Sequence, residues 1–322
     1  MKPNHLLLLM FLVPTFGNAS EPEPHVTTSR FEFYNNFWIN QHHFLYKVAE
    51  WVVKDSLDAP AEHQVFAEVK KKDRQAINSC VAYYQSHLID KNLLFNNKMH
   101  EIKRTLIHYG KEDQLPVGDI DTALVEILQA FRPIYSRYFW EKHSQRNLAV
   151  LNRNIDRIKR FENKVFGRLA ELAQDQWVDG RFRIDLTYYA NWAGAYTSNK
   201  PTHAVISTHQ EEPEGSWVET VFHESAHSLI SSRRGTISEV IAAAAEKLGK
   251  KPPRGLWHSI QFYFVGRTVQ DLLQAQGVTY EQIMVRGEIF SRHYPALVKW
   301  MEPYLQGEST LQAAVEKLVE AL

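Results

Sequence analysis

The chain has 322 residues, of which 44% are hydrophobic and 12% aromatic, enough to bury a sizeable core as one large domain or two intimate ones. Its 37 basic side chains are balanced by 37 acidic ones, and a formal charge of zero argues against a nucleic-acid partner or a polybasic membrane contact. Cys80 is the only cysteine, so no internal disulfide can form.

In chain order, residues 1–19 read as a signal peptide. Lys2 precedes an apolar run over residues 6–13, Pro14 breaks it, and Gly17, Asn18 and Ala19 supply small-residue cleavage context. The run is too short to span a bilayer and no Cys follows it to accept a lipid. The expectation is therefore an exported protein, periplasmic or secreted, with no membrane anchor, whose mature chain starts at Ser20. Residues 20–30, with two prolines and few apolar side chains, read as a flexible leader.

Residues 31–177 are mostly helical by pattern, with stops or starts at Pro60, Asp90, Gly110, Pro116 and Pro133. Phe37, Phe44, Val48 and Trp51 fall near helical spacing and form the core face of the first helix. The adjacent His42 and His43 cannot share that face, which predicts one buried and one exposed imidazole. Residues 152–164 (NRNIDRIKRFENK) form a charge-rich helix face that reads as solvated.

Period two appears only after that. Phe182, Ile184 and Leu186 alternate with Arg181, Arg183, Asp185 and Thr187, and residues 203–208 (HAVIST) make a second short strand after a turn at Ser198, Asn199, Lys200 and Pro201. These strands immediately precede the most informative stretch, His223-Glu224-Ser225-Ala226-His227. On a helix, residues four apart stand one turn apart on one face. Both imidazoles then hold one Zn²⁺, and Glu224 beside them is placed as a general base toward water. Ser216 and Glu219 read as a capping box that starts this helix, and Arg233, Arg234 and Gly235 read as its end. The interior of the motif is uncharged, as a dry metal site requires.

A catalytic zinc needs a third protein ligand. Ile230 and Arg233 stand where a metzincin carries Gly and then His or Asp, which excludes that class. Glu239 is accounted for by a second capping box that begins at Thr236. Glu246 follows His227 at the spacing of one gluzincin family, but the rest of that signature is missing. Glu246 also falls on the polar side of its helix, with Lys250 as an i+4 partner. His258 instead lies in line with Phe262, Val265, Val269 and Leu272, so its ring points to the apolar side, where a polar group needs a partner. His258 is the favoured third ligand and Glu246 the alternative. For the donor that would stabilise an oxyanion the candidates are Tyr263, taken first, Tyr196 and His293.

Residues 220–229 (TVFHESAHSL) resemble the extended zincin pattern. Together with residues 191–197 (NWAGAYT) and 256–266 (LWHSIQFYFVG), they resemble a group of uncharacterised exported bacterial zinc-peptidase-like proteins. The likeness covers roughly the last 130 residues. It implies an α+β, predominantly α-helical fold, with a zincin-like metal-binding region over residues 178–322 packed against the helical region and a small sheet beside the HExxH helix. In zincins the edge strand of that sheet pairs with an extended substrate, which makes residues 192–197 a candidate cleft rim. The implied function is a zinc-dependent peptidase acting on a peptide or protein. The alternative is an exported zinc- or peptide-binding protein without turnover.

Overall fold

The structure is a computed structural model that describes residues 22–55, 63–112, 114–118, 120–199 and 202–322. The signal peptide expected over residues 1–19 lies outside the described residues, as do the stop at Pro60 and the Lys200 and Pro201 half of the predicted turn. Of the chain, 58% is helical, with one small sheet, which is the α+β, predominantly α-helical class expected.

Strands β1 (Val26–Thr27) and β2 (Phe31–Tyr34) open the described chain, followed by α1 (Phe37–Asp55), α2 (Arg74–His87), α3 (Asn97–Leu106), α4 (Thr122–Tyr138) and the long α5 (Trp140–Ala173). Three more strands come next, β3 (Phe182–Thr187), β4 (Ala195–Ser198) and β5 (His203–Ser207). The remainder is helical: α6 (Ser216–Ala226), α7 (Thr236–Lys247), α8 (Leu256–Gln274), α9 (Ile283–Arg286), α10 (Tyr294–Leu305) and α11 (Leu311–Ala321). The five strands form one sheet in the order β1-β2-β3-β5-β4, with β2, β3 and β5 parallel and the two outer strands antiparallel to their neighbours.

Side-chain alternation sends each strand to two different cores. Phe31, Phe33, Phe182, Ile184, Leu186, Ala204 and Ile206 face a cluster built with α5, α6, α7, α8, α10 and α11. Tyr196 and Val205 face a second cluster built from α1 to α4. The sheet is therefore the wall between two helical layers, and the packing does not divide at 177/178 as the sequence suggested. Strand β2 belongs with β3, where Phe31 pairs with Phe182 in parallel register, and most of α5 packs on the C-terminal side.

Several expectations are corrected here. The segment read as a flexible leader holds strand β1, and Glu162 of α5 pins the bend between β1 and β2. Its carboxylate accepts hydrogen bonds from Thr28 Oγ1 at 2.6 Å, Ser29 Oγ at 2.7 Å and Arg30 N at 3.1 Å. The charge-rich face of α5 is largely exposed, as expected, and its Arg153 and Arg157 pair with Glu211 and Glu214 on the loop leading into α6. His42 and His43 are both fully buried. His42 Nδ1 meets Tyr84 Oη at 2.7 Å, and His43 bridges the Ile39 carbonyl and Tyr196 Oη, both at 2.8 Å. Pro133 lies inside α4 rather than at its end, because Phe131, Ile134 and Tyr135 bury that stretch of the helix.

Candidate metal centre

Helix α6 begins at Gly215, not at a capping box. Gly215 has φ +91°, and a Cβ there would fall 2.5 Å from Leu273 Cδ1, so both its backbone conformation and its packing require glycine. Ser216 accepts a hydrogen bond from Arg286 Nη1 at 2.8 Å. Glu219 is fully buried, and its carboxylate accepts from Tyr280 Oη and, at 3.2 Å, from Ile283 N. The two residues read as a cap instead fasten the 280–286 segment onto α6. Burial pushes the Glu219 carboxyl up to about 7 against those two hydrogen bonds.

The helix also ends earlier than expected, at Ala226 rather than near Gly235. Ser225 Oγ donates to Phe222 O and Ser228 Oγ to Ser225 O, and such hydroxyls compete with the main chain for helix carbonyls. His227 nevertheless keeps helical dihedrals (φ −61°, ψ −18°), so the i, i+4 relation to His223 survives. The second presumed capping box is absent too. Gly235 precedes α7, Thr236 Oγ1 donates to Gln174 O, and Glu239 is left exposed.

Helix α8 crosses α6 and delivers His258 to the same place. Ring nitrogens of His223, His227 and His258 all lie within 4.8 Å of one another, and Nε2 of His258 is 3.2 Å from Nε2 of His223. Gln261, one turn on, donates from Nε2 to the His223 carbonyl at 2.9 Å and locks the two helices in this register. Phe262 lies 3.9 Å from the His223 ring, Trp257 stacks on His258 at 4.8 Å, and Phe290 meets His258 edge-on at 5.5 Å. This aromatic collar lowers the local polarity. Burial holds His223 well below the ordinary imidazole range and brings His227 down to about 3 and His258 to about 4.

Three neutral imidazoles whose ring nitrogens converge, one of them with a buried and unpartnered Nδ1, form a donor set suited to zinc. Two ring nitrogens at 3.2 Å otherwise have only one shared proton to hold them together. Glu246 is not part of the group. It is exposed on α7, and Lys250, read as its partner, instead donates to the Val319 and Glu320 carbonyls.

Glu224 is buried beside His223, and Thr197 Oγ1 of β4 lies 2.5 Å from its Oε2. Burial pushes this carboxyl up to about 7, opposed by the Thr197 hydrogen bond and the charge of Lys103. Strand β4 is one of the two edge strands of the sheet and was legible in the sequence only as a candidate cleft rim, with Trp192 beside it 73% exposed. A cleft of about 630 Å³ opens at His227, walled by Asp175, Arg181, Asn199, Arg234 and Glu239.

Two of the three oxyanion candidates are turned away from the histidines, and the third, His293, lies at the margin of the aromatic collar. Tyr263 points away from the histidines and donates to Glu302 Oε2 at 2.6 Å, because five residues along α8 turn it to another face. Tyr196 is on the far side of the sheet, bonded to His43. His293 stacks on Phe290, and its Nδ1 lies 2.9 Å from Ser259 Oγ, whose own proton goes to the Leu256 carbonyl. The neutral ring therefore donates through Nδ1 and has only a lone pair on Nε2. Thr197, Lys103 and the collar of Trp257, Phe262 and Phe290 were missed. Signals were present for Trp257, the neighbour of His258, for Phe262, in line with it, and for Thr197, at the end of the candidate cleft rim. No family model, no curated protein and no solved structure matches the chain, and the chemistry of the site accordingly rests on three imidazoles, Glu224 and the strand beside them.

Proposed function

We propose that this chain is an exported zinc-dependent peptidase with Glu224 as its general base. The observation that carries the reading is the convergence of His223, His227 and His258 with Glu224 next to an edge strand. The three imidazoles would hold the ion through ring nitrogens, and their neutrality at physiological pH leaves the lone pairs free for it. When bound, zinc supplies a Lewis acid that polarises a carbonyl oxygen and acidifies water.

The other steps belong to the protein. Glu224 takes a proton from the attacking water and delivers it to the leaving nitrogen, a transfer favoured by a carboxyl whose affinity for protons lies near neutrality. The outer edge of β4 offers main-chain groups to an extended peptide, and the cleft at His227 accepts side chains. The collar of Trp257, Phe262 and Phe290 keeps bulk water from the imidazoles. Export rests on the first nineteen residues. Among the described residues no helix is long and apolar enough to cross a membrane.

The test is a zinc measurement together with a peptide-library digest by wild type, Glu224→Gln and a chelated sample. About one zinc per chain is expected. Glu224→Gln should keep the metal and the fold while turnover falls by roughly a hundredfold or more. Cleavage indifferent to both treatments rejects the mechanism, and zinc bound with no cleavage of any peptide favours a binding protein without turnover.

A further inference from the structure

The Glu224 side chain projects from α6 toward β4, where the Thr197 hydroxyl lies 2.5 Å from Oε2 and 3.0 Å from the Glu224 main-chain carbonyl. A hydroxyl has one proton, so Thr197 donates to one of the two at a time and holds the side chain against its own backbone. Such a hold is useful only if Thr197 is itself fixed, and both of its neighbours are. Tyr196 Oη is bonded to His43 Nε2 at 2.8 Å, and Lys103 Nζ sits 4.4 Å from the Tyr196 ring centre. Ser198 Oγ is bonded to His100 Nδ1. Three consecutive residues of β4 are thus tied alternately to the two faces of the sheet.

The main chain of Thr197 has a different orientation. Ser207 N donates to Gly194 O at 2.8 Å, and Tyr196 is registered with Val205, which turns the main-chain groups of Gly194, Tyr196 and Ser198 toward β5. Those of Ala195 and Thr197 face the other way, along the edge, and the Ala195 carbonyl already accepts from Asn191 Nδ2 at 3.2 Å. Thr197 therefore presents its peptide groups to the strand edge and its hydroxyl to the base.

We infer that Thr197 is a positioning residue: it orients the Glu224 carboxylate for proton transfer and ties that orientation to the strand edge on which an extended peptide would lie. This inference rests on the peptidase reading for its use in turnover, but the hydrogen bond itself is measurable without turnover. The experiment compares wild type, Thr197→Val, Thr197→Ser and Glu224→Gln. In metal-free protein, the infrared difference between wild type and Glu224→Gln isolates the Glu224 carboxyl band. Thr197→Val should shift that band and Thr197→Ser should leave it in place.

With zinc bound, Thr197→Val should keep the metal, the unfolding temperature and KM while kcat falls about tenfold or more, and Thr197→Ser should restore kcat to within about threefold of wild type. A Glu224 band unmoved in Thr197→Val overturns the inference, whether or not the protein cleaves peptides. A Thr197→Ser variant as impaired as Thr197→Val does the same, since the serine keeps the hydroxyl. If wild type binds zinc and cleaves nothing, the peptidase reading fails, and the infrared band alone decides on Thr197.

Discussion

The two faces of the sheet bury similar side chains and treat them in opposite ways. Against α1 to α4, Asp185 accepts from both His203 Nε2 and Arg183 Nε, Lys103 donates to the His203 carbonyl, and His43 joins Tyr196. Each of these groups has found another part of the protein. Against α6 and α8, three imidazoles have been brought within reach of one another with no carboxylate paired to any of them among the described residues. Buried polar groups left facing each other are costly unless something else satisfies them, whereas a paired network stabilises the fold on its own. The contrast teaches that neither the number of histidines nor a single unpartnered ring nitrogen is informative, since His42 and His203 on the first face also leave one nitrogen unpartnered, and that the convergence of three ring nitrogens sets the second face apart.

The largest effects that would break this comparison are on metal binding. His223→Ala and His227→Ala should abolish stoichiometric zinc, and His258→Ala should weaken it by more than the roughly 10- to 100-fold typical of an outer-shell partner. A His43→Ala variant on the opposite face should retain full zinc. Equal zinc loss in His43→Ala would erase the distinction between the faces, and full occupancy in a His223→Ala, His227→Ala double variant would remove the site.

Next in size is the network on the other face. Asp185 is fully buried, and the charge of Arg183 and the hydrogen bond from His203 hold its carboxyl below the usual carboxylate range against the effect of burial. Asp185→Asn removes the anion and leaves the Arg183 guanidinium without its buried partner. This should reduce stability by about 3 kcal/mol or more in denaturant unfolding, with zinc content unchanged. A variant as stable as wild type would show that the network contributes nothing.

Acid should act through the buried imidazoles of both faces. Burial lowers His42 well below its ordinary value of 6.5 and lowers His43 to about 4, His143 to about 3 and His203 to about 4. Without metal, His223, His227 (about 3) and His258 (about 4) are lowered in the same way. The unfolded chain therefore takes up protons at these seven sites before the folded one does, and stability falls as pH drops from 6.5 toward 4. Glu219 and Glu224, raised to about 7, act in the other direction as pH falls from 7 toward 4.5, but they are two groups against seven. The unfolding temperature of metal-free protein should decline over this interval. A flat or rising profile would mean that the imidazoles are not held neutral.

Smaller still, Gly215→Ala forces a side chain into left-handed backbone and against Leu273, at a cost of about 2 kcal/mol. Glu246→Ala should change stability by less than about 0.5 kcal/mol and leave zinc binding intact. A strong zinc defect in Glu246→Ala would transfer the third ligand to α7.

What the sequence made legible tracks the range of the forces involved. The i, i+4 histidines, the apolar line through His258 and the alternation in β3 and β5 are local periodicities, and each is found in the structure. The misreadings occurred where a distant partner outcompeted a local rule. Ser216 and Glu219 had the spacing of a cap, yet Arg286 and Tyr280 took them; Tyr263 stood in the right block, yet Glu302 claimed its hydroxyl. Thr197 was legible only as the end of a candidate cleft rim beside the HExxH helix, because nothing in its neighbours reports that its hydroxyl will meet the Glu224 carboxylate.

The pairing of β2 with β3 has a consequence for how the molecule assembles. The carbonyl of Thr28 accepts from Arg181 Nε across 153 residues, and the whole of α1 to α5 lies in the loop that this contact closes. Closing such a loop is entropically expensive and slow, and it must precede completion of the sheet against which α6 packs. The chain should therefore collapse its helical layer first and acquire a competent ion-binding pocket only in its last kinetic phase, so that zinc captured during refolding reports the end of folding rather than its beginning.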